Sequence, residues 1–189
     1  MAKRRKHKKR GRPRIEGCMR EKNGRISRAK TPREPANQLT IEMRAKHFGL
    51  TIEEAKNPLS GTYIGRLCLL GYKQNAAGIS QDQYDVAQKY LEVRNNYLCA
   101  KALPSAIYDE MPTTSDDDAR KKWVEMATQQ FLTMQEAIQE AQYLYRQHNF
   151  YAALQYLVVE DQSLSYLVNS LRIILNALHK HFSQKRVKV

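Results

Sequence analysis

The first 36 residues hold almost all of this chain's charge, and a segment of that kind cannot build a core of its own. Met1–Ala36 carries 15 Lys/Arg against Glu16, Glu21 and Glu34, a net of +12 out of +13 for the whole chain. The remaining 153 residues carry 17 basic and 16 acidic side chains. The pI near 9.7 therefore describes a basic arm on a near-neutral body. Dense like charge repels itself, so residues 1–36 are expected to stay disordered until they meet a polyanion. Nucleic acid is the expected polyanion, because Lys and Arg displace condensed counterions from its phosphates.

The arm centres on Lys9-Arg10-Gly11-Arg12-Pro13-Arg14, and Arg-Gly-Arg-Pro between basic residues resembles the AT-hook core. Glycine, without a Cβ, lets the backbone approach a groove floor, and proline holds an extended course. Narrow A-tract minor grooves attract inserted arginine. Two readings stay open: hook-like insertion into an A/T-rich minor groove, and phosphate neutralisation without groove preference. A nuclear import signal or an RNA-binding tail would share this composition. The candidate DNA-contacting residues are Arg4, Arg5, Lys8, Lys9, Arg10, Gly11, Arg12, Pro13, Arg14, Arg25 and Arg28. The stretch Gly24-Arg25-Ile26-Ser27-Arg28 lacks proline and is no second hook, and Thr31–Pro35 reads as a stiff linker.

About 150 residues remain for folding, enough for one hydrophobic core or a smaller one completed by neighbouring subunits. Cys18, Cys68 and Cys99 are odd in number and widely spaced, which argues against a disulfide framework or zinc ribbon and fits a reducing cytoplasm. No apolar segment follows the N-terminal cations, so no signal peptide is expected. Leu164–Phe182 is interrupted by polar residues and reads as a soluble helix rather than a membrane span. No phosphate loop, nucleophile elbow or His-Glu-x-x-His is present. His179 and His181, two residues apart, make a poor metal pair on a helix. The expectation is a binding protein with no catalytic residue, metal or cofactor.

The body is predicted to be all-α, with a small helical unit (37–78), a long antiparallel hairpin (79–147), C-terminal helices (148–183) and a basic tail (184–189). Ile41–Phe48 stops at Gly49, and Thr51-x-x-Glu54 starts a second short helix. The pair resembles a helix-turn-helix. Pro58 cuts the second helix short, however, and Glu53 and Glu54 would face phosphate, so a packing unit is the preferred reading. Thr62–Leu70 is a third helix, ending at Gly71. Ser80 and Gln83 form a capping box for a helix running to about Ala102 with two apolar stripes. Ser115 caps the longest helix, with Asp116, Asp117 and Asp118 at its positive end. Val124, Ala127, Phe131, Met134, Ile138, Ala141 and Tyr145 recur at heptad spacing along it. If that helix reaches Gln147 it is about 50 Å long, longer than its partner can cover. The seam is therefore assigned to oligomerisation.

A basic arm, short helices, a long helical hairpin and a C-terminal helical piece together resemble the small terminase subunits of tailed bacteriophages and gene-transfer particles. Arg10-Gly11-Arg12-Pro13-Arg14 followed by Asn23-Gly24-Arg25-Ile26-Ser27-Arg28-Ala29 also looks like short proteins encoded in prophages. The resemblance implies a ring of subunits in the cytoplasm of a bacterial host. That ring would recognise double-stranded viral DNA and hand it to a large ATPase–nuclease subunit. Family members often carry a clear helix-turn-helix, and here DNA contact would fall to the arm instead. The competing expectation is a DNA-binding regulator or nucleoid-type protein with a dimeric body.

Overall fold

Thr51 and Ser80 each stop extended backbone and start a helix by the same reciprocal device. The Thr51 and Ser80 hydroxyls accept from the amides of Glu54 and Gln83, whose side chains accept from the two cap amides. Both capping boxes lie where the sequence places them. The computed structural model describes residues 16–28, 36–73, 77–103, 106–108 and 117–186. Among them the fold is all-α: α1 (Gln38–Phe48), α2 (Ile52–Lys56), α3 (Tyr63–Tyr72), α4 (Gln81–Ala100), α5 (Asp117–Leu144), α6 (Phe150–Ala152) and α7 (Val168–Arg186). Pro58 ends α2 as expected and opens a 3₁₀ turn, Pro58–Gly61. A second 3₁₀ turn, Ser165–Leu167, leads into α7.

The chain divides into two compact units, Met1–Thr40 and Ile41–Val189. In the first, residues 16–28 are not the featureless chain expected. Arg20 and Ile26 form an antiparallel bridge, closed by Glu21 N–H to Arg25 O and Ser27 N–H to Met19 O, at 2.8 and 2.7 Å. Gly24 at φ +81° ends a three-residue loop, and the Asn23 side chain accepts from the Arg25 amide. Asn-Gly is a hairpin signal, because both residues tolerate the left-handed region.

In the second unit α4, α5 and α7 pack on one another, α3 packs on α4, and the segment after α6 packs on α3, α4 and α7. Leu171, Ile174, Leu175 and Leu178 of α7 are wholly buried, each contributing about 1.5–3 kcal/mol of apolar burial. Both predicted stripes of α4 reach the interior, through Val86, Ala87, Tyr90 and Val93. Three helix ends differ from expectation. α3 continues through Gly71, because that glycine is there for packing: a Cβ on it would sit 2.0 Å from the Ile79 carbonyl oxygen. α4 ends at Ala100, and Ala102 takes a left-handed conformation, φ 51°. α5 stops at Leu144, short of Gln147. The Gln142 side chain there donates to His148 O and accepts from Phe150 N, turning the chain so that Phe150 is fully buried. Ser115 and Asp116 lie outside the described residues.

One element has no counterpart among the sequence-based expectations. α6 runs directly into a π-helix, Ala153–Val159, closed by Glu160 N–H to Gln155 O at 2.9 Å. The wider turn keeps Ala153, Leu154, Leu157 and Val158 buried and leads to Asp161 at φ 54°. The Asp161 carboxylate accepts from the Tyr63 amide, while Thr62 caps Gly65. Thus the C-terminal half of the chain supplies one of the first-turn partners of α3. Arg172 of α7 adds a second tie, donating from Nε and Nη2 to Gly78 O at 3.0 and 2.6 Å.

Candidate nucleic-acid interface

Of the arm's candidate contacts, Arg4, Arg5, Lys8, Lys9, Arg10, Gly11, Arg12, Pro13 and Arg14 lie outside the described residues, as does the Thr31–Pro35 linker. Arg25 and Arg28 are exposed on the returning side of the Arg20–Ile26 hairpin. Within the hairpin the Glu21 carboxylate accepts from Ser27 Oγ at 2.8 Å. The Gly24 carbonyl accepts from Arg20 Nη1 at 2.8 Å. The hairpin gives Arg25 and Arg28 a defined backbone course.

The α1–α3 unit turns its arginines inward. Ser60, wholly buried, is held between Arg44, which donates to Ser60 Oγ and Ala55 O, and Arg66, which donates to Ser60 O. The Arg66 guanidinium also lies 3.6 Å above the Phe48 ring. Burial pulls its pKa down, opposed by the Asp161 carboxylate. Lys73 is paired with Glu54; that contact first, then the Thr51 backbone amide, holds the Glu54 carboxyl at about 2. α2 has only five residues, and Glu53 is exposed on it. A recognition helix needs a run of donors facing a groove, and in this unit Arg44 and Arg66 are bound to its own backbone and to Ser60. His47 packs edge-on to Phe48.

The α5 seam is largely internal. Ala127, Met134, Ile138 and Ala141 are buried within the single chain. Val124 and Phe131 are half-buried, with Phe131 stacked on Tyr97 of α4 at 4.0 Å between ring centres. Tyr145 falls beyond the helix and is exposed. The assignment of this seam to oligomerisation is corrected for those four residues, because α4 and α7 cover the stripe that a partner was expected to cover. The basic tail is partly helix as well, since α7 runs to Arg186.

Sequence reasoning also missed a tyrosine-rich surface where α5 meets α6. Tyr143, Tyr145, Tyr151 and Tyr156 are all exposed. Between α4, α5 and the π-helix lies a cleft of about 490 Å³ lined by Tyr90, Arg94, Gln135, Tyr151 and Tyr156, among others. A second cleft of about 410 Å³ holds Gln139, Tyr143, Arg146 and, again, Tyr151. The spacing Tyr143-x-Tyr145-Arg146 near Tyr151 was the available signal, but the residues sit at no single helical period.

Elsewhere His148 Nδ1 lies 3.0 Å from Ser170 Oγ, with Ser170 buried. The imidazole stacks on Phe150, and neither His148 nor Ser170 lines either cleft. Burial pushes the Cys68 thiol up. Among the described residues, no group of three or more His, Cys, Asp or Glu could hold a metal ion, and no helix is long and apolar enough to cross a membrane. Compared with known proteins, the chain matches no family model, no curated protein and no solved structure.

Proposed function

We propose that this chain is a non-enzymatic DNA-binding assembly protein of the small-terminase kind. Its arm grips double-stranded viral DNA, and several copies of its helical body present that DNA to a large ATPase–nuclease in a bacterial host cell. The observation that carries the reading is the segregation of charge: a net of +12 in residues 1–36 beside a near-neutral remainder. The engagement of Arg44, Arg66 and Lys73 in contacts within the body supports the arm as the main phosphate contact. Several weak arms on one assembly would bind far more tightly than one.

A second reading is a dimeric DNA-binding regulator or nucleoid-type protein that uses the same arm. Native mass spectrometry separates the two: eight or more subunits favours the terminase reading, and a dimer alone overturns it. Deleting residues 1–36 should flatten the log–log salt dependence of duplex binding by about 0.9 for each phosphate that the arm neutralises. An unchanged slope would move the DNA site into the body. Equal affinity for A/T-rich and G/C-rich duplexes would exclude hook-like insertion at Arg10–Arg14.

A further inference from the structure

We infer that the two clefts along α5 form one strip that binds single-stranded nucleic acid, each cleft offering an arginine for phosphate and tyrosine rings for bases. The inference rests on the nucleic-acid reading above but places a second, chemically different contact in the folded body.

No Asp or Glu lines either cleft, although the 153 residues after the arm carry 16 acidic side chains. Arg94 is half-buried, and its guanidinium makes no hydrogen bond or ion pair with a described residue. A cation held partly out of water without a partner among the described residues marks a place for an anion. Tyr90 is 7 % exposed and lines the same cleft. Its phenol is pushed up by burial, with Arg94 opposing, so it is a neutral donor at physiological pH.

The second cleft offers residue types that the first also has. Arg146 takes the place of Arg94, with its guanidinium 4.7 Å from the Tyr143 ring centre, and Tyr151 lines both clefts. Each cleft also contains an amide from α5, Gln135 in one and Gln139 in the other. These are four residues apart and therefore neighbours on one helix face. Neither amide is hydrogen-bonded to a described residue, so both can donate to and accept from a base edge. From Gln135 to Tyr143 the strip runs about 12 Å at 1.5 Å per residue, room for about three bases at ~3.4 Å each.

A cation, an amide and a ring, repeated once, match a polymer that alternates phosphate and base. Tyrosine faces accept any base, so the strip should be tolerant of sequence. A protein partner fits less well, because it would have to bring a carboxylate to each arginine. The irregular geometry is consistent with a built site: π-helical segments occur often at functional positions, and Tyr156 stands on this one.

The test uses the full chain with short mixed-sequence single-stranded DNA and RNA oligonucleotides carrying 5-iodouracil, and a duplex for comparison. Ultraviolet cross-links should map to Tyr143, Tyr151 or Tyr156; cross-links confined to residues 1–36 overturn the proposal. Tyr151→Ala and Arg94→Gln should each weaken single-strand binding roughly ten-fold while duplex affinity holds, and Tyr151→Phe should restore it. The far-UV spectrum and Tm of each variant confirm its folding. Unchanged single-strand affinity in both variants rejects the strip and leaves the arm reading intact. Absence of both single-strand and duplex binding in the unmodified chain rejects both. If the variants change the subunit count and leave oligonucleotide affinity unaltered, the surface is a subunit interface and the proposal fails. The DNA and RNA arms decide which polymer the strip prefers.

Discussion

Gly71 and Gly61 illustrate how one residue type carries opposite instructions. Gly71 lies inside α3, where alanine would normally gain about 1 kcal/mol of helix propensity. Its added Cβ would meet the Ile79 carbonyl oxygen at 2.0 Å, a backbone atom that cannot swing aside, and a Cβ on Gly78 would in turn meet Gly71 N at 2.1 Å. Overpacking of that kind costs about 1–3 kcal/mol or more, so the clash wins. Gly61 has nothing within 4 Å of the same position and no left-handed backbone. Gly71→Ala should therefore lower the unfolding free energy by about 2 kcal/mol, net of propensity. Gly61→Ala should leave it unchanged or raise it by about 0.5 kcal/mol. Urea denaturation of both variants checks the contrast, and equal behaviour would remove the packing role given to Gly71. The sequence could not separate these glycines. A helix-stop glycine and a close-approach glycine look alike until the neighbouring backbone is in place.

At the scale of elements, the capping boxes and the stops at Gly49 and Pro58 were legible, whereas the ends of α3, α4 and α5 were not. The capping boxes at Thr51 and Ser80 each join residues three apart, so they can be read locally. The ends depend on what the chain must reach next. α1 and α4 finish with the same hydrogen-bond pattern: Leu50 N–H reaches back to Ala45 O, and Leu103 N–H to Leu98 O, both at 2.9 Å. In α1 the left-handed position is Gly49, φ 63°, whereas in α4 it is Ala102, φ 51°. A non-glycine residue in that region costs about 1–2 kcal/mol. Ala102→Gly should accordingly raise the stability by about 0.5–1 kcal/mol after the extra freedom of glycine in the unfolded chain is discounted. Thermal unfolding would read this as a higher Tm, and a lower one would mean that the α4 end is not strained. The α5 seam shows the complementary failure. Its period was read correctly from Val124 to Ala141. Which surface covers it is a property of α4 and α7, not of α5.

At the scale of the whole molecule, charge and core are divided between different parts of the chain. Among the described residues the main hydrophobic core lies between Leu59 and Phe182, and the +12 segment ends at Ala36. Removing residues 1–36 should thus leave the far-UV circular dichroism per folded residue and the Tm unaltered in moderate salt. A fall of several degrees would mean that the arm contributes to the fold. By itself the sequence determined the all-α class, the concentration of charge in residues 1–36 and the capping boxes at Thr51 and Ser80. Each of these follows from composition or from contacts a few residues apart. Only the tertiary structure decided that the α5 seam is internal, that Asp161 caps α3 from far along the chain, and that Arg94 and Tyr151 share a cleft. Those outcomes depend on packing between distant segments, where the partner of a side chain is chosen by the fold and leaves no local period to read.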